Sequence, residues 1–233
     1  AGLAGAMSLV SMLIMLIVYG ALTRQAAQAY TGSEVSIGDG FGYGLRKTVP
    51  LLLTTIASLI ILIVVWLVLG MGVAFVVGAL TVFSSVAAVL VGVVTGLAAL
   101  VLSAALFASL FAVGTAVVIE GAGPVAAIRR SWRLARGARG RIAGILFVSW
   151  LITALASFGV MFALGFGQAI IGPVMMAQAP ASQLYLQQAV STLMGALTFP
   201  FSVVCMVLLY FDRRVRTEGY DIEAATEALA TIA

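Results

Sequence analysis

Six arginines crowd one short stretch of this chain: Arg129, Arg130, Arg133, Arg136, Arg139 and Arg141, with Trp132 among them and Glu120 just upstream. Pro124 can open a helix here and Gly137 can close it, which predicts an interfacial helix over about 124–136. On that helix Val125, Ile128, Trp132 and Ala135 make an apolar stripe, and Arg129, Arg133 and Arg136 share the neighbouring face. An apolar stripe, a Trp and a basic face suit the membrane interface, where anionic lipid contributes about 1 kcal/mol per Arg. Arg129, Arg130, Arg133, Arg136 and Trp132 are therefore the candidate contacts for a lipid phosphate or for a partner's acidic surface. The competing reading is that these arginines only set topology while Glu120 pairs with one of them. Nucleic acid is disfavoured, because the cluster is small and carries one aromatic.

The chemistry that the composition excludes is equally informative. There is no His, which removes His-ligated haem, His-containing metal sites and a Ser-His-Asp triad. Cys205 is the lone cysteine and sits in an apolar run, as a buried structural thiol does. The run Ser36-Ile37-Gly38-Asp39-Gly40-Phe41-Gly42-Tyr43-Gly44 lacks the strand and the Gly-Lys-Ser/Thr of a phosphate loop. Ser36 and Asp39 read instead as a capping box for a short interfacial helix. No catalytic set, metal cluster or cofactor site emerges, so the chain reads as a non-enzyme that needs no cofactor.

These residues are positioned by segments of a different character. No Asp, Glu, Lys or Arg occurs in 1–23, 48–119 or 142–211, and 63% of the residues are hydrophobic against 9% charged. A membrane-crossing helix needs about 20 apolar residues, and period-2 alternation is missing, so helices are expected rather than a barrel. The expected fold is all-α: a polytopic membrane helix bundle over 1–211 with five spans, at about 3–22, 50–77, 90–118, 142–165 and 186–210. Pro50 fits the first turn of the second span, and Pro200 is expected to kink the fifth. Gly92 and Gly96 form a small-xxx-small pattern for close helix packing. The stretch from Ala1 lacks the basic start and clear end of a signal peptide, so it reads as a true span with sequence upstream of it.

With five spans, all three basic regions fall on one side, which the positive-inside rule makes cytoplasmic in a cell membrane. The remainder, 212–233, is an acidic cytoplasmic tail in which Asp221 can cap a short helix over 222–229. Segment 120–141 has six arginines against one glutamate, and the tail has five acids against three arginines. Opposite charge predicts that the tail docks on the arginine helix, with Glu120, Asp212, Arg213 and Arg214 as structural charge partners. No ionisable group is expected at mid-bilayer depth, which argues against a proton relay. Thr54, Thr55, Ser58, Ser149 and Ser191 could nonetheless line an uncharged path.

The stretches VIEGAGPVAAIRRSWRLARGARGRIAGILFV (118–148), LLYFDRRVRTEGYDIE (208–223) and GALTRQAAQAYTGSEVSIGDGF (20–41) resemble the membrane domain associated with glycerophosphoryl diester phosphodiesterases. The resemblance covers most of the chain and implies about six spans, the extra one lying before Ala1. The His pairs and soluble barrel of the catalytic half have no counterpart here, so the resemblance implies a bacterial inner-membrane fold without an activity. Two functions are expected from this reading. One is a membrane protein that anchors, organises or regulates a partner at the cytoplasmic face, in lipid or cell-envelope metabolism. It would contact anionic membrane lipids and a protein partner or a second copy of itself. The other is a transporter or lipid-handling permease with an uncharged intramembrane groove.

Overall fold

A computed structural model describes residues 2–34, 36–163 and 181–219. Among them the chain forms seven helices: α1 (Gly2–Tyr30), α2 (Ile37–Thr81), α3 (Ser85–Ser109), α4 (Val113–Ile119), α5 (Pro124–Ala135), α6 (Arg139–Ala163) and α7 (Ala181–Glu218). No strand occurs among the described residues. Five helical stretches are long and apolar enough to cross a membrane. The expected cap at Asp221 and helix over 222–229 lie outside the described residues.

Local signals account for most helix ends. Ser36 caps α2, its hydroxyl accepting the Asp39 N–H at 3.4 Å, with Asp39 in the first turn where a negative charge suits the helix dipole. Ser84 does the same for α3 through the Ala87 N–H at 3.3 Å. Gly121 and Gly137, at φ 68° and 73°, take the left-handed conformation that ends one helix and admits the next.

The helix that Ser36 starts is not short. It runs on for 45 residues, so Pro50 lies in its interior and not in a first turn. The reason is packing against α1. The backbones cross so closely that a Cβ on Gly20 would lie 3.0 Å from the Gly44 Cα. A Cβ on Gly44 would collide with the Ile17 carbonyl oxygen, and one on Gly40 would sit 2.7 Å from the Gln25 Nε2. Gly40 and Gly44 are thus one helical turn apart on the face that meets α1. Burial there outweighs the roughly 1 kcal/mol per residue that glycine costs a helix. The small-xxx-small contact expected at Gly92 and Gly96 is weaker: a Cβ at Gly92 would touch Val77 at 3.3 Å, and Gly96 has nothing near it.

The position of these glycines makes opposite predictions for neighbouring substitutions. Gly44→Ala should destabilise by about 2 kcal/mol, since backbone must move to admit the methyl. Gly42→Ala, with nothing within 4 Å, should stabilise by about 0.5–1 kcal/mol through helix propensity. Thermal unfolding of both variants in mild detergent checks the difference in sign.

The expected span over 90–118 is broken. α3 stops at Ser109, and α4 begins at Val113 after a three-residue interruption. Ser131 of α5 explains the break: its hydroxyl donates to the Ser109 carbonyl at 2.8 Å and accepts the Ala112 N–H at 3.0 Å. Side-chain hydrogen bonds replace the missing helical ones, so the backbone polar groups stay paired in a fully buried site. α4 is short and nearly all buried, with Thr115, Ala116, Val117 and Val118 wholly enclosed.

Apart from Ala88 near the start of α3, burial among the described residues is confined to one end of the bundle. The core runs through Leu51, Phe111, Val117, Leu134, Ile142, Val207 and Tyr210, all drawn from the ends of helices that carry the charges. Beyond it, from about residue 56 to 107, 145 to 163 and 185 to 201, large apolar side chains such as Val68, Phe75, Leu100, Phe162 and Leu197 are exposed. The long helices therefore run from this packed end into apolar shafts that other described segments leave largely uncovered.

Candidate functional site

The packed end holds the charged residues that the sequence singled out, and it sorts them into two sets. The first is a clasp. Arg130 donates from Nε to both Glu120 carboxylate oxygens at 3.0 Å and from Nη2 to Glu120 Oε1 at 2.7 Å. The same guanidinium donates to both oxygens of Glu218, from Nη2 at 2.7 Å and from Nη1. Arg214 Nε lies 3.8 Å from Glu120 and 3.5 Å from Glu218. The hydroxyl of Tyr210, a fully buried residue, donates to Glu120. The Glu218 hydrogen bonds are the main cause that raises the Arg130 guanidinium above its ordinary value; partial burial opposes them and Glu120 adds to them. Glu218 thereby joins the start of the tail to α5, the charge pairing expected between those segments.

Arg213, the next residue but two after Tyr210, is buried and plays a different part. Its Nε donates to the Leu134 carbonyl at 3.0 Å and its Nη2 to the Arg136 carbonyl at 3.4 Å. These are carbonyls at the C-terminus of α5, where unpaired acceptors and the negative end of the helix dipole favour a cation. Asp212 pairs with Arg216 at 2.7 Å, one turn along its own helix. Of the four expected charge partners, Glu120 and Arg214 thus meet in the clasp, while Arg213 and Asp212 serve elsewhere.

The second set is an open groove of about 500 Å³ lined by Arg129, Arg133, Arg136, Trp132 and Ile128 of α5 and by Ile61 of α2. Among the described residues no carboxylate lies within salt-bridge range of Arg129, Arg133 or Arg136. Arg130, read from the sequence as a fifth member of this set, is held in the clasp and does not line the groove. Arg139 stacks on Trp132, its Cζ 5.1 Å from the ring centroid, and fixes the indole at the groove's edge.

The face of α5 that packs inward differs from the expected apolar stripe. Ala127, Ser131, Leu134 and Ala135 are buried, whereas Val125 is 64% and Trp132 37% exposed. Ser131 belongs to the buried face because the α3–α4 interruption supplies its two partners, information absent from the local sequence. Val125 and Trp132, with the arginines, are left on the outside.

Tyrosines that the sequence did not single out tie this end together. Tyr43 donates to the Val118 carbonyl at 2.6 Å, and its ring carries Arg24 at 4.9 Å and Lys47 at 5.6 Å. Tyr30 stacks on Phe211 with centroids 4.4 Å apart. The only sequence signal for these contacts was the position of the aromatics next to charge at helix ends.

Where the packed end gives way to the shafts, two neighbouring cavities open. One, of about 340 Å³, is lined by Leu51, Thr54, Thr55 and Ser58 of α2 with Tyr19 and Val113. The other, of about 440 Å³, lies among Ser58, Phe111, Ser149, Trp150, Thr153 and Ser202. Both are lined in addition by Leu110, and no charged side chain lines either. Four of the five hydroxyl residues read as an uncharged path line these cavities; Ser191 does not. Thr54, Thr153 and Ser202 already donate to carbonyls of their own helices, at 2.6, 2.8 and 3.2 Å. The Ser58 Oγ is buried without a hydrogen-bond partner, a state that costs about 1–3 kcal/mol.

A family model described as a domain of unknown function, DUF7847, matches residues 2–212. No curated protein and no solved structure matches the chain. Nothing in these comparisons connects the chain to the phosphodiesterase-associated membrane domain that its motifs resemble.

Proposed function

The chain belongs to the DUF7847 family, and we propose that it is a non-catalytic integral membrane protein whose basic end holds anionic lipid headgroups and anchors or organises a partner there. The observation that carries this reading is the open groove of Arg129, Arg133, Arg136 and Trp132 with no carboxylate of its own. A guanidinium cluster beside an exposed indole suits a phosphate at a membrane surface.

The depth of the groove supports the assignment. Ile61, on its wall, is separated from Thr81 at the far end of α2 by about 20 residues, or about 30 Å of helix, the thickness of a hydrocarbon core. α3, entering at Ser85, covers the same distance before Leu106, where its continuous buried stretch starts; Ala88 is the one buried residue ahead of it. α7 likewise runs from Ala181 to about Phe201 before Val203 is buried. The exposed apolar shafts thus match a bilayer, which is the solvent such surface requires. The groove falls at one boundary of it. By the positive-inside rule that boundary is the cytoplasmic face of a cell membrane. The clasp lies on the same side, and its remaining surface is where a protein partner or a second copy would dock.

Native mass spectrometry of protein extracted gently with its lipids tests this reading. Retained anionic phospholipid in fixed proportion to protein is the expected result. Protein that carries only zwitterionic lipid, or none, would contradict it. The permease reading draws on a separate observation, the two uncharged cavities, and predicts lipid movement between leaflets of reconstituted vesicles.

A further inference from the structure

We infer that the two cavities meeting at Ser58 and Leu110 form one binding site for a neutral two-chain glycerolipid of the diacylglycerol class. The inference does not rest on the arginine groove. It begins with the contrast among the hydroxyls. Thr54, Thr153 and Ser202 satisfy themselves within their helices, but Thr55, Ser149 and, at the junction, Ser58 make no hydrogen bond among the described residues, and the Ser58 Oγ is buried. A buried hydroxyl in apolar surroundings calls for a partner. Rotated about χ1 into either lobe, the Ser58 hydroxyl would donate to an ester carbonyl.

The shape selects the rest of the ligand. The lobes of about 340 and 440 Å³ are each within the range of ligand pockets, and Ser58 and Leu110 line both. A molecule with two apolar chains meeting at an ester-bearing glycerol matches that arrangement, whereas a single chain would leave one lobe empty. Phe107 and Trp150, at 64% and 61% exposed, form part of the second lobe's wall, so this lobe opens sideways toward surrounding acyl chains. The absence of any charged lining residue selects a neutral head: a phosphate here would lose its hydration with no countercharge.

The test uses the purified full chain in phosphatidylcholine nanodiscs with a trace of diacylglycerol carrying a photoactivatable diazirine on each acyl chain. Expected are crosslinks to the α2 segment around Thr55–Leu62 and to the α6 segment around Leu146–Thr153. Excess unlabelled diacylglycerol should suppress them at least fivefold, while equal excesses of phosphatidylcholine or monoacylglycerol should not. Thr55→Phe, at the exposed mouth of the first lobe, should lower labelling of α2 at least fivefold. Thr153→Phe should do the same for α6, and Ser58→Ala should lower both. Val101→Phe, on the outer face of α3 and 66% exposed, should label as wild type. Unchanged thermal unfolding shows that the variants fold. Suppression by phosphatidylcholine or monoacylglycerol equal to that by diacylglycerol would overturn the proposal. So would wild-type labelling of folded Thr55→Phe and Thr153→Phe, or a loss in Val101→Phe as large as theirs.

Discussion

Arg213→Met should lower stability by about 3–5 kcal/mol, a large part of the roughly 5–15 kcal/mol that holds a typical domain together. The guanidinium is buried, and its two donors satisfy the Leu134 and Arg136 carbonyls at the end of α5. Methionine matches its length and apolar stem, so the loss reports the hydrogen bonds more than the packing. Each bond from a charged donor contributes about 1.5–3 kcal/mol, and removing the donor leaves buried acceptors unpaired. Arg213→Lys should recover little, since a single ammonium cannot span two carbonyls that a planar fork reaches together. Thermal unfolding in detergent, followed by near-ultraviolet circular dichroism, measures both. A melting point unchanged in the Met variant, or fully restored in the Lys variant, would show that Arg213 does not cap α5.

The clasp makes the second large prediction. Glu120→Ala should cost about 3 kcal/mol, because it leaves the Tyr210 hydroxyl without its acceptor and places Arg130 and Arg214 together with one carboxylate fewer. Glu218→Gln should cost less, about 1 kcal/mol, since its side chain is 29% exposed and water can replace part of what is lost. Both carboxylates share the Arg130 guanidinium, so the double variant should depart from additivity by about 1 kcal/mol. Additive losses would mean that the two acids act independently and that the tail is not held to α5 through Arg130. A Glu218 variant as stable as wild type would remove the tail's contribution altogether.

Much of this architecture is legible in the amino-acid sequence. The charge-free stretches marked the long helices, and Pro124 with Gly137 bounded α5 to within a residue of its observed end. The attraction between the arginine segment and the tail was visible as opposite net charge. The details that failed were those set by distant partners. Ser131 reads as a polar residue in an amphipathic helix until the α3–α4 interruption supplies its two hydrogen bonds. Arg213 reads as one more topological charge until the end of α5 arrives beside it. Gly40 and Gly44 lie in a run that reads as a short interfacial helix opened by Ser36 and Asp39, with nothing in it to mark a helix of 45 residues. Only the crossing with α1 makes a continuous helix the lower-energy choice. Arg130 could not be separated from Arg129 and Arg133 by spacing alone; Glu120 and Glu218 separate it.

The central claim, that the arginine groove holds an anionic headgroup at the membrane boundary, is tested most directly through Trp132. With Trp66 and Trp150 replaced by Phe, Trp132 is the only indole. Its fluorescence can then be followed in nanodiscs containing phosphatidylglycerol or phosphatidylcholine brominated near the top of the acyl chains. The account predicts markedly stronger quenching by the anionic lipid at equal mole fraction. Changing Arg129, Arg133 and Arg136 together to Gln should abolish the preference, a loss of about 3 kcal/mol at about 1 kcal/mol per Arg, or about a hundredfold in affinity. Equal quenching by the two lipids in the parent protein, or a preference that survives the triple change, would contradict it.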